Sequence, residues 1–141
     1  MHRYCLVLIV ALLGFIFSSG AQTAFTVDSI EEKTQACYDE GRFMLGCAIN
    51  FYTKMDSMLN AVYNKLRSTL DSSGKEELKK DERVWLVERD RYFKKTQVIL
   101  AKATKENDGV PAQDDQMNMF HDNGEFVKER VLVLISRMKK D

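Results

Sequence analysis

Side chains able to do chemistry are few in this chain. Nucleophilic catalysis needs a base within reach of a Ser or Cys. Of the two histidines, His2 lies at the extreme N-terminus, which leaves His121 as the only base of that type. The sequence has no Gly-x-Ser-x-Gly, no phosphate-cradling Gly-rich loop and no His-Glu-x-x-His. Adjacent acids such as Glu31-Glu32 and Glu76-Glu77 point to different faces of a helix, in first turns where carboxylates favour the helix dipole. The expectation is a protein that is not an enzyme, with no catalytic residue, no metal site and no cofactor.

The three cysteines divide by position. Met1-His2-Arg3 is a weakly basic start, Cys5 to Phe17 is an apolar run broken only by Gly14, and Ser18, Ser19, Gly20 and Ala21 are small. That order predicts a secretory signal peptide over 1–21, cleaved after Ala21. The run of about thirteen residues is short of the roughly 20 needed to span hydrocarbon. No stable membrane insertion is expected after cleavage, and the location is secreted or periplasmic. Two cysteines remain, Cys37 and Cys47, which in an exported domain form a disulfide most simply, with two free buried thiols as the alternative. One histidine beside two cysteines does not make a tetrahedral zinc site.

Elements that would position these residues read as helices. Ser29-Ile30-Glu31-Glu32 has capping-box spacing and predicts a short helix ending near Gly41. A long helix follows from about Phe43 to Leu70, with Phe51, Met55, Met58, Leu59, Val62, Leu66 and Leu70 at steps of three and four. Asp71-Ser72-Ser73-Gly74 breaks it, and Ser73 to Glu76 repeats the capping spacing. The third helix runs to about Ala103, with Leu78, Trp85, Tyr92 and Ile99 on one seven-residue seam. Met117 to Met138 is the last helix, with Phe120, Val127, Val131, Leu134 and Met138 inward. A single proline, seven glycines, 45 % hydrophobic and 30 % charged residues exclude a disordered chain and leave little room for an all-β fold. The predicted fold is all-α: an antiparallel helical bundle built on a long helical hairpin, one domain over 22–141, with a disulfide near the N-terminus.

Charge is balanced overall, 21 basic against 21 acidic, which argues against a nucleic-acid partner. Loss of Arg3 with the signal peptide leaves 20 against 21. Locally it is uneven. Lys75 to Lys105 holds ten Lys or Arg and six acids, whereas Glu106 to Glu125 holds six acids and no Lys or Arg. Asp108, Asp114, Asp115 and Asp122 in that stretch are either solvated surface or docking acids for a cationic partner.

A polar set sits on the hairpin. Asp56, Asn60 and Tyr63 share a stripe of the long helix, and Trp85 and Arg89, four apart, allow a guanidinium to rest on the indole. Arg83 and Asp90, seven apart, share another face. These groups either bond across the hairpin and fix its register or line a ligand site.

Cys47, then Asp56-Ser57-Met58-Leu59-Asn60-Ala61-Val62-Tyr63, then Arg83-Val84-Trp85 and Arg89-Asp90 resemble the LprI-like lysozyme-inhibitor family. The family pattern joins paired cysteines to Asp-x-x-Leu-Asn-x-x-Tyr and Arg-x-Trp-x-x-x-Arg-Asp. Two further family cysteines would fall near Phe93 and Asp122, and neither position is cysteine here, as removal of one disulfide would leave it. The usual Gln ahead of Arg-x-Trp is replaced by Glu82 or its neighbour. The resemblance implies an exported helical protein whose partner is another protein, a lysozyme in some members, inhibited by surface occlusion. Either the acidic stretch steers toward a cationic lysozyme, or a Lys or Arg tip enters its cleft and pairs with the catalytic carboxylates. The alternative is an envelope structural or immunity-type protein that binds another secreted protein.

Overall fold

The computed structural model describes residues 19–138, with side chains from 26 onward. The expected signal peptide falls outside the described residues except for its last three. Four helices follow in order: α1 Ser19–Asp39, α2 Met44–Thr69, α3 Ser72–Glu106 and α4 Gln113–Arg137. The fold is all-α, a helical bundle with the Cys37–Cys47 disulfide joining the end of α1 to the start of α2 across a Cα–Cα distance of 6.0 Å.

The predicted boundaries hold closely for α2 and shift elsewhere. Ser29 is not a cap. Helix α1 begins ten residues earlier, and Ser29 lies inside it, because nothing between Ala21 and Asp28 breaks a helix. Helix α3 is capped by Asp71 rather than Ser73, its carboxylate accepting from Gly74 N at 2.8 Å. Helix α4 starts four residues before Met117, with Asp114 and Asp115 in its first turn, where their charge meets the positive end of the helix dipole.

The largest contact in the bundle is between α2 and α4; α1 packs on both, and α3 rests mainly on α4. Helices α2 and α3 are antiparallel neighbours in the chain. The bulk of the core nevertheless lies between α2 and α4, which run parallel: Phe51 and Tyr52 meet His121 and Phe120 near one end, and Leu66 and Leu70 approach Arg137 at the other. The reason is residue 124. A Cβ there would stand 2.6 Å from Phe51 Cδ1 and 3.3 Å from the Tyr52 Cα, so only glycine lets α2 come this close.

The apolar stripe read on α2 is the core: Phe51, Met55, Leu59, Val62 and Leu66 are buried against Val127, Val131, Leu134 and Ile135 of α4. Leu78 and Trp85 of α3 join them, and Val27 seals the α1 side. The α3 seam does not continue as predicted. Tyr92 is half-buried on Phe126, but Ile99 is 59 % exposed, because α3 is turning its heptad face past the helix it packs on. Thr96 Oγ1 donates to Asn123 Oδ1 at 2.9 Å, a buried polar link between α3 and α4. Among the described residues no helix is long and apolar enough to cross a membrane.

Candidate functional site

Helices α2 and α3 diverge enough to leave a groove of about 430 Å³ between them. Six motif residues line it: Asp56, Leu59, Asn60 and Tyr63 from α2, and Arg83 and Arg89 from α3. Leu59 is buried and Leu86 half-buried, so together they make an apolar base beneath polar walls. The spacing of four and three read from the sequence is what puts Asp56, Asn60 and Tyr63 on one wall.

These polar groups do not tie the hairpin together. Asn60 Nδ2 donates to the Asp56 carbonyl of its own helix at 3.0 Å. The Arg89 guanidinium donates to its neighbour Asp90, from Nη2 at 2.7 Å and from Nε at 3.0 Å. Arg83 is exposed at the rim. The expectation of bonds across the hairpin is therefore replaced by an open groove whose side chains are held from within each helix.

Trp85 is different. It lies below the groove, 8 % exposed, its ring stacked 6.0 Å from that of Phe126. Two guanidiniums approach it, Arg89 at 5.8 Å as the spacing predicted and Arg130 at 5.6 Å. Arg130 was invisible to sequence reasoning because it sits among the inward residues of α4, where a charge is read as an interruption. It is 6 % exposed, and its guanidinium donates to Glu82 at 2.7 Å and Asp81 at 2.8 Å. Glu82 thus gains a charged partner on α4. Burial pushes the Asp81 carboxyl up, but hydrogen bonds and charge from Arg130 and Arg137 outweigh it and hold its pKa below the ordinary range.

The acids from Asp108 to Asp122 occupy the turn between α3 and α4 and the first half of α4. Asp108, Asp114 and Asp122 are exposed and Asp115 is half-buried, away from the groove and toward the far end of α3. Glu125 is engaged with Lys128 at 2.6 Å, and Lys128 also reaches Glu31 on α1 at 2.6 Å.

His121 sits on the opposite side, over Phe51 with ring centroids 5.6 Å apart, and its Nδ1 is 3.2 Å from the Tyr38 hydroxyl. Burial, and then the Glu125 charge, push the Tyr38 phenol above its ordinary pKa, which makes it a poor nucleophile. The two cysteines are consumed in their bridge. Geometry at His121 is that of a packed ring with one hydrogen bond.

The sequence profile described as lysozyme inhibitor LprI matches residues 32–119, or 88 of the 141 residues, and that span contains the whole groove. The chain belongs to the LprI lysozyme-inhibitor family. No curated protein and no solved structure matches it. The LprI span takes in the C-terminal part of α1 from residue 32, all of α2 and α3 and the first turns of α4. The rest of α4, carrying Arg130 and most of the inward apolar residues, lies beyond it.

Proposed function

We propose that this protein is an exported binding protein that inhibits a lysozyme by occluding its cleft, without catalysis of its own. The observation that carries the reading is the convergence of the LprI motif on one open groove: residues 27 positions apart in the chain, Asp56 and Arg83, come to line the same concavity. Export accords with the signal-like N-terminus and with a disulfide, which persists in oxidising compartments.

Roles within the groove follow from exposure. Leu59 is core and forms the base of the groove, and Trp85 is core beneath it. Asn60 and Arg83 are exposed and available to a partner. Arg83 supplies a cationic tip for the carboxylates of a lysozyme cleft, while Asp108, Asp114, Asp115 and Asp122 attract a cationic lysozyme from a distance and raise the encounter rate. Contact at Arg83 sets residence time, and the acidic turn sets association.

A titration of purified protein into a lysozyme acting on cell-wall substrate tests this. Inhibition is expected to saturate at one-to-one stoichiometry, and Arg83→Ala is expected to weaken it about tenfold, a loss near 1.4 kcal/mol, with an unchanged melting temperature. Flat titrations against several lysozymes at micromolar protein would sink the reading and leave a secreted partner of another kind.

A further inference from the structure

Helix α3 presents one face that no other described helix covers. Val84, Val87, Arg91, Lys95, Val98 and Lys102 follow one another at steps of three and four, so they form a single row along it. Every one of them is exposed, the valines by 61 %, 58 % and 61 %. Lys94 and Ile99 flank the row and are exposed as well, and Lys105 extends it. Between Arg91 and Lys105 there are five bases and no acid; Glu88 shares the row at its N-terminal end, and Glu106 stands 3.9 Å from Lys102 at its C-terminal end.

Single exposed apolar residues are ordinary. Four β-branched side chains interleaved with five bases along one helix face are a pattern, and it has a chemistry. Counting those five bases and the acids Glu88 and Glu106 to this face leaves the rest of the chain with 16 basic and 19 acidic residues. An anionic surface would therefore attract this face and repel the others, which fixes an orientation as well as an affinity.

We propose that the outer face of α3 docks flat on an anionic phospholipid surface, as a peripheral contact without insertion. The lysine stems lie along the apolar boundary while their ammonium groups meet lipid phosphates. The valines and Ile99 leave water for the headgroup boundary, as an interfacial helix requires. A soluble polyanion would satisfy the bases but gain nothing from the apolar side chains, and these favour the bilayer. The face is separate from the groove between α2 and α3, so it stands independently of lysozyme inhibition.

Sedimentation with lipid vesicles tests the proposal, using the purified disulfide-bonded protein. Vesicles holding about 30 % phosphatidylglycerol in phosphatidylcholine are expected to bind at least about tenfold more tightly than pure phosphatidylcholine, and added salt to weaken that binding. K94E/K95E is expected to lose about tenfold on the anionic vesicles. V98S/I99S is expected to lose several-fold on vesicles while binding inorganic polyphosphate as the parent does. Because all four residues are exposed, both variants should melt like the parent. Equal binding to both vesicle types would overturn the proposal. So would V98S/I99S binding vesicles undiminished, which would make the face a polyanion site.

Discussion

Arg130 shows how a single residue can organise two helices. Its neighbours in the inward row of α4 are Val127, Val131 and Leu134, all fully buried, yet its guanidinium finds Asp81, Glu82 and the Trp85 ring on α3. Breaking a buried pair costs about 3–5 kcal/mol because the surviving charges lose their partner. Asp81 keeps 38 % of its side chain exposed, so water relieves part of that cost. Arg130→Met is expected to lower unfolding free energy by about 2–3 kcal/mol in urea denaturation, and adding D81N and E82Q to recover much of it. A neutral Arg130→Met would mean that the network does not hold α3 to α4. The same network sets a pH dependence. Asp81 has a folded pKa below its unfolded value of about 4, so its stabilisation is complete above that value and is lost as pH falls through the folded one. Stability measured from pH 6 downward should fall more steeply in the parent than in Asp81→Asn, and parallel curves would contradict it.

Among the elements, α4 is the one the sequence described least well, although its inward row was read correctly. Adjacent helices in a chain are natural partners, so α2 and α3 were expected to share the core. The glycine that decides otherwise, Gly124, looks in sequence like a weak point in a helix. Only the fold shows that its missing Cβ is occupied by the Phe51 ring. The capping errors have a similar origin: Ser-x-x-Glu fits the start of a helix and also the middle of one, and the chain before Ser29 carries no breaker to separate the two. The groove was half legible. Spacing placed Asp56, Asn60 and Tyr63 on one stripe, but whether they bond across the hairpin depends on how far α2 and α3 diverge, which α4 determines by packing between them. Gly124→Ala tests this at the scale of the helix pair. Alanine is the better helix former by about 0.5–1 kcal/mol, but its methyl would stand 2.6 and 2.7 Å from two Phe51 ring carbons. Phe51 is 1 % exposed, and its ring could yield only by giving up its stacking on His121 toward the cavity they share with Tyr38. A net loss of about 1–2 kcal/mol is expected in thermal unfolding, and a stabilised variant would show that α2 and α4 can separate freely.

For the molecule as a whole, the arrangement is a parallel α2–α4 pair, with α3 attached through Trp85, the Arg130 network and the Thr96–Asn123 link, and α1 attached by apolar, ionic, hydrogen-bonded and covalent contacts. Val27 and Ile30 pack on the core near the middle of α1, Lys128 reaches Glu31 beside them, Tyr38 meets His121, and Cys37–Cys47 fixes the C-terminal end. These attachments differ in kind. The apolar and ionic ones act in the folded state, whereas the bridge closes a loop of about ten residues and acts mainly by restricting the unfolded chain, worth roughly 2.5–3 kcal/mol. Reduction should therefore leave the native helices in place at low temperature, with α1 still docked by Val27 and Lys128, while the melting temperature falls by about 5–10 °C. Circular dichroism melts with and without dithiothreitol measure both quantities at once. An unchanged melt would show that the bridge constrains nothing. Helicity lost on reduction at 20 °C would instead show that α1 depends on the bridge, and that Val27 and Lys128 are too weak to hold it.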